Sequence, residues 1–157
     1  MSSDRLSRRV LMLSLLGLAG CGFAPLHGDG GVARGAFSFE AEETVLGFRL
    51  SGRLAERLGA AQTPEYVIKT TITTSQRAAA ITEEGDTSRL NIIGTATWTL
   101  LDIATGTQVA GGDVQGFTSY SATGSTVATQ TAQDDAGDRL AVILADLIVT
   151  RVLVALS

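Results

Sequence analysis

Chemically reactive side chains are scarce in this chain. Cys21 is its only cysteine and His27 its only histidine, and aromatic residues make up 5%. With one thiol no disulfide can close within the chain, so an oxidising compartment would be tolerated but not exploited. A Ser–His–Asp arrangement would have to borrow His27 from a glycine-rich stretch, where a lone histidine is far more often solvated than catalytic. Asp134 and Asp135 have no histidine or cysteine nearby and no calcium-loop spacing around them. They read as a solvated helix face rather than a metal site. Gly47 and Gly52 have the spacing of phosphate-loop glycines, but Arg53-Leu54 stands where a Lys-Ser/Thr pair would hold phosphate and metal. The residues point away from an enzyme and imply no cofactor.

Positive charge is also in short supply. Lys69 is the only lysine, and 12 Lys and Arg stand against 16 Asp and Glu. That balance argues against bulk electrostatic capture of nucleic acid, so any anion binding must come from a local group of arginines. Nor does any apolar run reach the ~20 residues of a membrane-spanning helix.

What is present starts with a short greasy stretch, residues 10–18, behind Arg5, Arg8 and Arg9 and ending at Leu18-Ala19-Gly20-Cys21. A charged start, a brief apolar middle and small residues before a cut make a secretory signal peptide. Arg8-Arg9 also suits twin-arginine export, and ordinary Sec export accounts for it equally well. Leu-Ala-Gly-Cys looks like a bacterial lipobox. Ala19 and Gly20 are small enough to admit a peptidase, and the Cys21 thiolate is the nucleophile that would take a diacylglyceryl group. With a second, amide-linked chain such as palmitate, anchoring would be stable. The expected organisation is a signal peptide at residues 1–20, a lipidated tether at 21–35 and a single domain at 36–157, a size that fits one core.

Periodicity lays out that domain. Phe37-Ser38-Phe39-Glu40-Ala41 alternates as a strand. Thr44 can cap a helix in which Leu46, Leu50, Leu54 and Leu58 recur, with Phe48 adding width, and Gly59 can close it. Gly47 and Gly52 weaken this helix and are expected to let it lie close on a sheet. Pro64 opens a strand running towards Ile81, and Glu83-Glu84-Gly85-Asp86 makes a turn. A second long strand spans Arg89 to Asp102, and a third runs from about Gln108 to Tyr120, with Gly111, Gly112 and Gly116 suggesting a bulge or a close backbone approach. Ser125 or Thr126 can cap a final helix reaching nearly to Ser157. Its stripe is Ala128, Ala132, Ala136, Leu140, Ile143, Leu144, Leu147, Ile148 and Val152. The expected fold is α+β: a two-layer sandwich whose four-stranded, mostly antiparallel sheet carries both helices on one face.

The opposite sheet face is then threonine-rich. Thr71, Thr73, Thr95 and Thr97 would meet solvent or a partner. Lys69 and Arg77 share the outward row of one strand, and Arg89 opens its neighbour. Together they are candidate ligands for phosphate groups, although pairing with Glu83, Glu84 and Asp86 would explain the same charges.

As a set, these residues resemble the lipopolysaccharide-assembly lipoprotein family, LptE. Cys21-Gly22-Phe23-Ala24-Pro25-Leu26 is close to the family's Cys-Gly-Phe-x-Pro-Leu start. Tyr66-Val67-Ile68, Ser119-Tyr120 before the last helix, and Ala145-Asp146-Leu147-Ile148 within it add to the likeness. The resemblance implies a non-enzymatic lipoprotein on the periplasmic side of the outer membrane, with Gly22 after the anchor consistent with that sorting. It also implies a plug inside the LptD β-barrel and binding of lipopolysaccharide through basic residues near one sheet end. A different membrane-anchored interaction module, such as an activator of cell-wall synthases, is the alternative.

Overall fold

A computed structural model describes residues 35–81 and 87–157. The expected signal peptide, the expected lipobox at Cys21, the expected tether as far as residue 34 and the expected turn at 83–86 lie outside them. The chain order is β1 (Phe37–Ala41), α1 (Val45–Leu58), β2 (Tyr66–Ile81), β3 (Thr87–Asp102), β4 (Gln108–Ser121) and α2 (Thr126–Ala155).

The sheet is open, with strand order β1-β2-β3-β4. β2, β3 and β4 form an antiparallel meander, while β1 runs parallel to β2 with Phe37 beside Tyr66. Parallel neighbours need a crossover, and α1 supplies it. Thr44 caps α1 by accepting a bond from the Gly47 N–H at 3.0 Å. Gly59 ends it with φ 80, a left-handed conformation that suits glycine, and donates to the Ala55 carbonyl.

Leu50, Leu54 and Leu58 are fully or almost fully buried under α1. Phe48 does not widen that stripe, being 75% exposed. It lies two residues from both Leu46 and Leu50, about 200° around the helix from the leucine line. The helix glycines also have another cause than contact with the sheet. A Cβ on Gly47 would collide with the Glu42 carbonyl in the capping turn, and one on Gly52 would meet nothing within 4 Å.

Ser125 caps α2, accepting from the Ala128 N–H. The 30-residue helix is about 45 Å long. Ala136, Leu140, Leu144, Ile148 and Val152 are buried as the stripe requires, and Ala141, Ala145 and Val149 join them. Ile143, Leu147 and Ala128 of the expected stripe are exposed instead. Beneath the helix, Gly94 of β3 stands directly opposite Gly116 of β4. A Cβ on Gly94 would lie 2.9 Å from Leu140 Cδ2, and one on Gly116 2.8 Å from Ile143 Cγ2. The two glycines are the seat on which α2 rests.

The helices are also joined to each other. Arg53 makes a two-pronged contact with Asp146, Nε to Oδ1 and Nη2 to Oδ2, both at 3.1 Å. Asp146, and then Glu56, hold the Arg53 guanidinium still more firmly protonated than usual. Arg49 and Asp138 add a second α1–α2 pair at 3.3 Å.

Candidate functional site: the uncovered sheet face

Both helices lie on one side of the sheet, and among the described residues nothing covers the other side. Strand alternation puts the odd-numbered residues of β2, β3 and β4 there. Across the strands they form rows: Thr71, Thr97 and Asp113; then Thr73, Thr95 and Gln115; then Ser75, Ile93 and Phe117; then Arg77, Asn91 and Ser119. Thr71, Thr73 and Thr97 are exposed and Thr95 is half-buried. Two of the hydroxyls are tied into cross-strand pairs. Thr97 donates to Asp113 at 2.6 Å, and Gln115 donates to Thr95 at 3.3 Å.

Of the three candidate cations, the structure brings two together. Arg77 pairs with Asn91, and Arg89 is the next outward residue along β3, displaced by an irregularity between Ala78 and Ala80. Both are exposed, and neither has an ion-pair partner among the described residues. Lys69 is eight positions from Arg77 on the same strand, about 26 Å at strand rise. It is bound to Glu40 at 2.8 Å. Among the described residues, the positive charge on the face that has no acidic partner is therefore the arginine pair at its far end.

Sequence periodicity had passed over the apolar island beside that pair. Phe117 is 65% exposed and faces Ile93 across the strands. Its place in the odd row with Asp113 and Gln115 is the signal that would have revealed it.

Among the described residues, no three His, Cys, Asp or Glu side chains are placed to hold a metal. The buried hydroxyls are committed, Thr118 donating to the Ala136 carbonyl at 2.8 Å and Thr70 to the Glu40 carbonyl at 3.4 Å. Asp102 ends β3 and accepts from the Thr105 N–H of the following turn at 2.8 Å. That bond lowers its pKa below the ordinary value. No helix among the described residues is long and apolar enough to cross a membrane.

Fold and face together define a class: an α+β two-layer domain with one hydroxyl-rich sheet surface that neither helix covers. Residues 35–152 match the model of the LptE family, described as lipopolysaccharide-assembly, and the chain belongs to that family. Its fold recurs in solved lipoprotein structures. A lipoprotein from Caulobacter crescentus CB15 superposes with a TM-score of 0.62 at 23% identity, covering 77% of this chain and 90% of that one. Rare lipoprotein B from Shewanella oneidensis gives 0.57 at 10% identity, covering 74% and 92%. A minor lipoprotein from Acinetobacter baumannii gives 0.53 at 17% identity, covering 75% and 88%. At these identities the likeness is one of fold. No curated protein matches the chain.

Proposed function

We propose that the protein is an outer-membrane lipoprotein, lipidated at Cys21 on the periplasmic side. It plugs the LptD β-barrel and helps it assemble for insertion of lipopolysaccharide into the outer leaflet. Membership of the lipopolysaccharide-assembly family supports the pathway. The observation that carries the plug role is the uncovered sheet face. The lumen of a large barrel is polar and wet, and a surface of hydroxyls, one carboxylate and the amides of Gln115 and Asn91, interrupted only by the small Ile93–Phe117 island, suits such a wall. Arg77 and Arg89, unpaired among the described residues at the end of that face, are suited to phosphate groups.

Purification in mild detergent tests this reading. The lipidated protein should bring down a β-barrel, and depletion should lower surface lipopolysaccharide. Recovery without a barrel, or unchanged surface lipopolysaccharide, would end it. Arg77→Glu with Arg89→Glu should weaken lipopolysaccharide binding while the barrel is still recovered. Undiminished lipid binding would remove the arginines from the site.

A further inference from the structure

The packing leaves one long sheet edge unfinished. β4 has 14 residues, with β3 on one side and, among the described residues, no strand on the other. Its register shows which backbone groups face outward. Ala122 N–H donates to the Ser88 carbonyl at 3.1 Å, so the even-numbered residues of β3 are the ones that exchange hydrogen bonds with this strand. Their neighbours in β4, Asp113, Gln115, Phe117 and Ser119, therefore aim N–H and C=O away from β3. Arg139 confirms the direction independently, since its Nη2 donates to the Ser119 carbonyl at 3.2 Å from α2. Apart from that bond, none of these groups has a partner among the described residues.

Proteins commonly blunt such an edge with lysine, proline or inward charge. β4 has neither lysine nor proline, and its one charged side chain, Asp113, accepts from Thr97. The helix above completes the picture. Ile143 lies over Gly116 of this edge strand, and Leu147 follows one turn later on the same side. They are 38% and 39% exposed, next to the buried Leu140 and Leu144. A further strand would run ~4.8 Å beyond β4, beneath this overhang.

We propose that β4 takes up an extended segment of the barrel partner as a fifth strand, with alternate apolar side chains of that segment tucked under Ile143 and Leu147. This rests on the plug reading and names how the partner is held. Main-chain bonds along the edge would give affinity, and the alternate side-chain positions specificity. The edge is continuous with the bare face, because Phe117 belongs to both, so one partner covers them together. Other occupants fit less well. The chain's own residues 22–34 are rich in glycine, contain Pro25 and lead into β1 at the opposite edge. A second copy would offer its own β4, where Gly112 and Gly116 have no side chains to fill the overhang.

Gln115→Pro tests the strand. It deletes one outward N–H and leaves the ladder to β3 intact, the placement in which an edge strand tolerates proline. Gln115→Thr keeps that N–H while changing the same side chain. With thermal unfolding checked for each, Gln115→Pro should recover the barrel from detergent about tenfold less efficiently than Gln115→Thr. Leu147→Gln, which leaves the edge untouched, should also lower recovery. Equal recovery by all three would overturn the fifth strand while leaving the plug. In cells, a benzoylphenylalanine at Phe117 should form adducts with the barrel chain. Adducts only with a second copy or with residues 22–34 would overturn the assignment of the occupant. Failure of the wild-type protein to recover any barrel is a separate result that removes the plug reading itself.

Discussion

Replacing Gly94 by valine should loosen the whole helical layer, because of where its side chain would have to go. The position is buried, and a Cβ there comes within 2.9 Å of Leu140 Cδ2 and 3.2 Å of Leu144 Cδ1. Those methyl groups end flexible side chains, but Leu140 and Leu144 are fully buried, so in a close-packed interior a shift of either presses on its neighbours in turn. Overpacking of this kind costs about 1–3 kcal/mol. Removing a glycine from a strand returns about 0.5–1 kcal/mol, which leaves a net loss of about 0–2.5 kcal/mol with a middle value of about 1 kcal/mol. For a domain of this size that is roughly a 4–8 °C fall in Tm, readable by circular dichroism. Gly116→Val, pressing on Ile143 Cγ2 at 2.8 Å, should behave alike. Since both sites lift the same helix, the double variant should lose less than the sum of the two. A Tm for Gly94→Val within about 1 °C of wild type, or strictly additive losses, would refute the idea of a shared glycine seat.

Other substitutions separate the remaining causes. Gly52→Ala, whose methyl meets nothing within 4 Å on an exposed helix position, should raise stability by about 0.5–1 kcal/mol in urea unfolding. Leu144→Ala, which empties a fully buried site, should cost about 2–5 kcal/mol in the same assay. The depressed pKa of Asp102 means that its carboxylate is favoured in the folded state by the Thr105 N–H. Its contribution is present above the ordinary carboxylate value and is lost as pH falls through the lower, folded one. Asp102→Ala should therefore reduce Tm at neutral pH, and the gap should close as the medium is taken to about pH 2. A gap that stays constant with pH would assign the loss to something other than the charge.

Much of the fold can be read from periodicity, and the departures have local physical causes. β1 and both helix caps fall where alternation and the hydroxyls of Thr44 and Ser125 put them. Alternation says which residues share a face but not which strand pairs with which, so the parallel β1–β2 contact had to come from the packing of α1. Four-residue spacing marked the α1 leucines, while Phe48 was drawn in by its hydrophobicity although its angle points it outward. On α2, the inner flank formed by Ala141, Ala145 and Val149 depends on where α1 lies, which no single-helix pattern contains. The bare face was legible as a row of threonines. Its electrostatics were less so, because the partnership of Lys69 with Glu40 depends on a neighbour brought in from β1.

The central claim is that the bare face meets the barrel wall. Benzoylphenylalanine placed at Thr71 or Thr97, both exposed on that face, and irradiated in living cells reports what lies against it. The expected result is an adduct with the β-barrel chain from both positions. Adducts instead with an inner-membrane or cell-wall enzyme, or none from either position, would contradict it.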